Sequence, residues 1–155
     1  MTTYNTIIVK GDPLRKESRA ASAITPGDLL MLASISTVQR HNVQGGTAFP
    51  LFAVESGFLG KTISDSYSAG DQVPFVHARR GDEIYAYVAS GQNIAANDPL
   101  ESDGDGKLRE YTVLTLDVGA TETIDEVVYT NTIVGFALEA PGSLSADTRV
   151  LIAVN

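Results

Sequence analysis

Apolar positions along this chain come in short runs. From Pro26 onward, "DLLMLA", "FPLFAVE", "QVPFVHA", "EIYAYVA", "KLREYTVLTL", "TIVGFALE" and "RVLIAVN" are separated by clusters rich in Gly, Pro, Asn and Asp. Runs this short, several alternating with a period of two, predict β-strands, and a succession of them predicts a mainly β barrel or sandwich. In "EIYAYVA" the alternation puts Ile84, Ala86 and Val88 on one face and Tyr85 and Tyr87 on the other. That tyrosine face reads equally as ordinary cross-strand packing and as the rim of a subunit interface.

The pattern differs before Pro26. "TTYNTIIVKGDPLRKESRAASAIT" has one apolar run, Ile7, Ile8 and Val9, followed by polar residues with little to bury. This predicts an N-terminal arm over residues 1–25 ahead of a body over 26–155. Helix-forming residues allow a short helix over Leu14–Ala23, and Thr6–Lys10 is suited to adding an edge strand to a neighbour.

Two passages look like copies of one unit. Phe52, Ala53, Val54 and Glu55 align with Phe136, Ala137, Leu138 and Glu139, and each set leads through a small-residue connector to an aspartate and a second strand. The pair predicts internal pseudo-symmetry.

Composition narrows the classes. A chain of 155 residues is most simply one domain able to bury a core without staples, and with no cysteine it has neither disulfides nor a thiolate site. No apolar run approaches a bilayer span and no export signal opens the chain, so the reading is a soluble protein made in the cytoplasm. Net charge is −8, which argues against nucleic acid as a partner. The charge is uneven: residues 1–40 hold five basic and three acidic groups, residues 41–155 six and sixteen.

The motifs that suggest chemistry fail on ligand counts. In "ESDGDGKLRE", with Gly106 at position 6 of a calcium loop, Asp103 and Asp105 fit, but position 9 is Arg109 and position 12 is Thr112. Flanking strand patterns make it a β-hairpin turn instead. "ESGFLGKTISD" ends like a phosphate loop, yet Glu55 stands where a glycine is required and no helix follows. His41 and His77 lack a third ligand, and there is no nucleophile elbow, which leaves only a dispersed triad through one of these histidines, since triads are defined by geometry rather than chain order. The expectation is therefore no catalysis, no cofactor and no metal. Arg79 and Arg80, in "HARRG", read as a solvated turn or as an intersubunit clamp on a carboxylate.

On "FPLFAVESGFLGKTISDSYSAGDQVPF", "YAYVASGQNIAANDPLESDGDGKL" and "IVGFALEAPGSLSADTRVLIAVN", the chain resembles the decoration, or cement, proteins of tailed-bacteriophage capsids. The resemblance implies a compact β-barrel-like body of β-tulip type, no chemistry, and attachment to the outer capsid shell of the virion. It also implies trimerisation and an N-terminal arm that reaches along the shell. The major capsid protein is then the partner, Ile7, Ile8, Val9, Lys10, Arg15, Lys16 and Arg19 are the capsid-binding arm, and Arg79, Arg80, Tyr85 and Tyr87 are candidates for a subunit interface. No nucleic acid or membrane enters this reading. The alternative is a barrel on a virion spike or fibre that holds a glycan or host receptor, for which a chain without tryptophan is poorly equipped.

Overall fold

A computed structural model of the chain describes residues 2–117, 123–127 and 131–155. The first strands in chain order are β1 (Ile8–Lys10), β2 (Leu14–Ala20), β3 (Leu30–Leu32), β4 (Thr37–Arg40) and β5 (Leu51–Ala53). Then come β6 (Gln72–His77), β7 (Glu83–Val88), β8 (Asn93–Ile94), β9 (Pro99–Ser102) and β10 (Leu108–Glu110). The last are β11 (Leu114–Asp117), β12 (Thr123–Val127), β13 (Gly135–Ala137), β14 (Gly142–Ser143) and β15 (Thr148–Val154). Apart from a 3-10 turn at Gly57–Leu59, the described residues are strand, turn or loop. The chain is mainly β, as its alternation predicts.

Five strands close a barrel, in the order β7, β10, β9, β13, β15 and back to β7. The seam between β15 and β7 runs antiparallel from Thr148↔Val88 to Ala153↔Glu83. On its other edge β7 is covered by three segments in turn. Tyr85 N donates to Ile7 O (2.8 Å), Tyr87 N to Gly27 O (3.1 Å) and Ala89 N to Leu108 O (2.9 Å). Closure removes the exposed edges that would otherwise invite aggregation. A second sheet has the order β3, β4, β2, β6, β5, and the bridge Leu29↔Phe52 joins its two outer ends.

Period-two alternation explains how the two sheets share a wall. Leu29, Phe52, Val54 and Val76 point to the core of the first barrel, with Ile84, Ala86, Val88, Leu100 and Ile152. Their neighbours Leu30, Leu51, Ala53 and Phe75 point the other way, to a second core with Ala20, Ile24, Val38, Tyr67 and Val73. Gly135 is fixed by close approach, because a Cβ there would lie 2.5 Å from the carbonyl oxygen of Ala153 on β15.

The internal repeat has a structural counterpart. Phe52 lies on β5, antiparallel to β6 in the second sheet, and Phe136 on β13, antiparallel to β15 in the first. The repeated glutamates do the same work in both copies. Glu55 accepts the amide of Ile7 (3.2 Å) and Glu139 that of Thr2 (3.1 Å), so each holds the N-terminal segment down.

That segment departs from the sequence reading. Residues 2–25 are woven into both sheets rather than standing off as an arm: β1 pairs with β7, and β2 pairs with β6 from Leu14↔His77 to Arg19↔Gln72 and in parallel with β4. Leu14–Ala20 is a strand, not a helix, because β4 and β6 offer backbone partners on both sides and tertiary pairing overrides a weak local propensity. The edge strand expected to join a neighbour is added to the chain's own β7. The "DGDG" reversal forms the expected hairpin between β9 and β10, with Gly104 at φ 89° and Gly106 at φ 72°.

Candidate functional site

The residues expected to contact a shell divide by burial. Ile7 is fully buried in the first core, the half-buried Ile8 packs against it, and Val9 is half-buried, so Ile7 and Ile8 pack the protein's own barrel. Ile7 is thus corrected from a contact residue to a core residue. Lys10 is exposed and pairs with Glu83 at 3.1 Å. Arg15, Lys16 and Arg19 are all exposed on β2, where register sets Arg15 opposite Val76, Glu17 opposite Pro74 and Arg19 opposite Gln72. A groove of about 440 Å³ runs beside them, lined by Arg15, Lys16, Glu17, Glu55, Pro74 and the fully exposed Phe58.

Arg79 and Arg80 are exposed in the turn after β6. The two arginines, with Arg15, Lys16 and Arg19, form no ion pair among the described residues. Five exposed cations without a carboxylate partner among the described residues stand out in a chain of net charge −8.

Tyr85 and Tyr87 are not brought to this surface. Tyr85 is 6% exposed, with the Tyr4 ring edge-on at 5.2 Å, and Tyr87 lies under the Arg149 guanidinium, 4.2 Å from the ring centroid. Arg149 is itself anchored to the carbonyls of Pro26 and Ile63. Burial pushes the Tyr85 hydroxyl's pKa upward, reinforced by the Glu139 charge.

A polar joint, not foreseen from sequence, links the β9–β10 hairpin to the second sheet. Leu29 N donates to Gly106 O (2.7 Å), Gly106 N to His41 O (3.0 Å) and His41 N to Leu29 O (2.9 Å). The His41 ring is 3% exposed, with Nδ1 2.7 Å from Ser102 Oγ and Nε2 3.3 Å from the Thr47 carbonyl oxygen. A neutral ring with its proton on Nε2 satisfies both contacts. Burial pulls the His41 pKa down, opposed by the bond to Thr47. Nearby Asp28 is 4% exposed, and burial pushes its carboxyl up to about 6 against the Thr25 amide bond and the Arg40 and Lys107 charges.

A histidine on a serine hydroxyl has the makings of a nucleophile and base. Ser102 is fully buried and already accepts the Gly104 amide at 3.1 Å, so a substrate has no approach to its oxygen. The adjacent Glu101, 3% exposed, receives Arg109 through Nε (2.9 Å) and Nη2 (2.7 Å) on one oxygen. Every buried side-chain polar atom among the described residues has a partner. Among those residues no three His, Cys, Asp or Glu gather where they could hold a metal ion. The joint is built to hold two sheets together, while the unpaired charge lies outside.

The fold is a mainly β body made of a closed five-stranded barrel sharing a wall with a second, curled sheet. No protein-family model matches the chain, and no curated protein matches it. Among solved structures it is similar to the N base of head fiber gp8.5 from bacteriophage phi29. The TM-score is 0.53 at 13% identity, over 92% of this chain and 93% of that one. At this identity the likeness is one of fold.

Proposed function

We propose that this chain is a structural protein of a phage virion: a decoration protein that binds the outer capsid shell and stabilises contacts between neighbouring major capsid proteins. The observation that carries the reading is the fold shared along nearly the whole chain with the base of a phage head fiber. The exposed cations on β2 and after β6 fit it, since an acidic body that keeps them unpaired leaves them to a partner's carboxylates. The role is mechanical, with no reaction and no cofactor. A contact of standard size buries ~1,200–2,000 Å², and repetition over a shell, or trimerisation on it, adds avidity without stronger individual contacts.

The test uses heads assembled without the chain, challenged by heat and osmotic shock before and after the purified protein is added back. Restored heads should retain their genome to a higher temperature; equal loss with and without the chain would overturn the proposal. A second reading, a fibre-associated barrel that holds a glycan or host receptor, is favoured by the fibre to which the neighbour belongs. Retention of a glycan by the purified protein, with no protection of heads, would select it.

A further inference from the structure

The second sheet curls around its core and is open at one end. Its inward face carries Leu30, Leu51, Ala53, Val73 and Phe75, and the register continues that face beyond the last filled layer. Leu14 and Leu51 both pair with His77, Lys16 pairs with Phe75, and Leu32 follows Leu30 on the same side of β3. At this end the inward positions are left uncovered: Leu14 is 50% exposed and Leu32 57%. Phe49, edge-on to His77 at 6.1 Å, is 72% exposed. Leu32 and Phe49 border a cavity of about 180 Å³ whose walls include Leu51 and Phe75. Apolar cavities of roughly 150 Å³ admit a benzene ring, so this one accepts one large apolar side chain.

Charge selects the occupant. Lys16 stands on the rim, and Arg79 and Arg80 follow His77 where β6 leaves the sheet at the same end. None of the three has a carboxylate within ion-pair distance among the described residues. Two copies meeting mouth to mouth would set these cations against each other, which disfavours a symmetric dimer through this face. We propose that the open end of the second sheet is a docking site for an acidic segment of the capsid shell that inserts one aliphatic or aromatic side chain. That the segment belongs to the shell rests on the decoration reading. An apolar anchor in a pocket with charged residues at its rim is the usual anatomy of a binding hot spot.

The test titrates labelled protein onto purified heads lacking it, at low and high salt. Three forms are compared: the natural chain, the pair Leu32→Ser and Phe49→Ser, and the triple Lys16→Glu, Arg79→Glu, Arg80→Glu. All these positions are at the surface, and unchanged melting verifies that each variant folds. The natural chain should bind more weakly as salt rises, the serine pair at least tenfold more weakly at either salt, and the charge-reversed form weakly throughout. Variants that bind as well as the natural chain would overturn the docking site and leave the decoration reading standing. A natural chain that does not bind heads would overturn the decoration reading and this occupant together. Sedimentation of the free protein is the remaining arm: self-association abolished by the serine pair would make the occupant a second copy and overturn the proposal.

Discussion

Replacing Arg109 with methionine removes the cation that faces the buried carboxylate of Glu101 while keeping much of the apolar stem. Glu101's side chain is 4% exposed and Arg109's is 23%, with the guanidinium 2.7 and 2.9 Å from one oxygen. Charge centres ~4 Å apart attract by about 4 kcal/mol at an effective dielectric of 20, and removing one partner of a buried pair typically costs about 3–5 kcal/mol. The loss should fall on folding, because the pair spans the β9–β10 hairpin whose tip joins the two sheets. At roughly 2–4 °C per kcal/mol for a domain of this size, Arg109→Met should melt about 10 °C below the natural protein. Pairing it with Glu101→Gln should recover much of that, since no charge is then stranded. The assay is thermal and denaturant unfolding followed by circular dichroism at neutral pH. Melting of the single variant within about 2 °C of the natural protein would refute the reasoning, as would a double variant no better than the single.

Further outcomes follow from the same structure. Asp28, pushed from 3.8 to about 6, binds its proton more tightly folded than unfolded, so its stabilising contribution is complete below pH 3.8 and lost as pH rises to about 6. Two pKa units amount to ~3 kcal/mol, so Asp28→Asn, measured as the difference from the natural protein in denaturant melts, should gain up to about that much across this window. A difference independent of pH would contradict it. His41 acts with the opposite sign: its folded pKa lies below 6.5, so its contribution is lost as pH falls through that range, and the difference measurement cancels it. Gly135→Ala should cost about 1–3 kcal/mol by forcing Cβ against the Ala153 carbonyl, whereas Gly57→Ala, with open space around it, should be near neutral. Removing residues 1–20 takes away Ile7 and the strand between β4 and β6, so the product should show no cooperative melt; a folded truncated protein would show that the segment is dispensable.

The sequence reveals strands where side-chain type alternates between the two faces. In "EIYAYV", Ile84, Ala86 and Val88 are fully buried, and period two is plain to see. β2 gives no such signal, because of "LRKESRA" only Ala20 is buried; its conformation is imposed by β4 and β6, which lie far along the chain. The hairpin turn was legible because glycine and aspartate act locally through φ and side-chain caps. The His41 joint was not, since its partner Ser102 is 61 residues away and a lone histidine carries no periodicity. For the candidate site, the exposure of Lys10, Arg15, Lys16, Arg19, Arg79 and Arg80 agrees with their polarity, but the covered positions of Ile7 and Tyr85 depend on segments that come together only in the folded chain.

The proposal that this protein works by fastening a shell is tested most directly by electron cryomicroscopy of heads assembled with and without it. The difference map should place a closed barrel joined to a curled second sheet on the outer surface, spanning neighbouring capsid subunits, with the open end of the second sheet against an acidic loop. Identical maps, or extra density confined to the tail, would contradict the account.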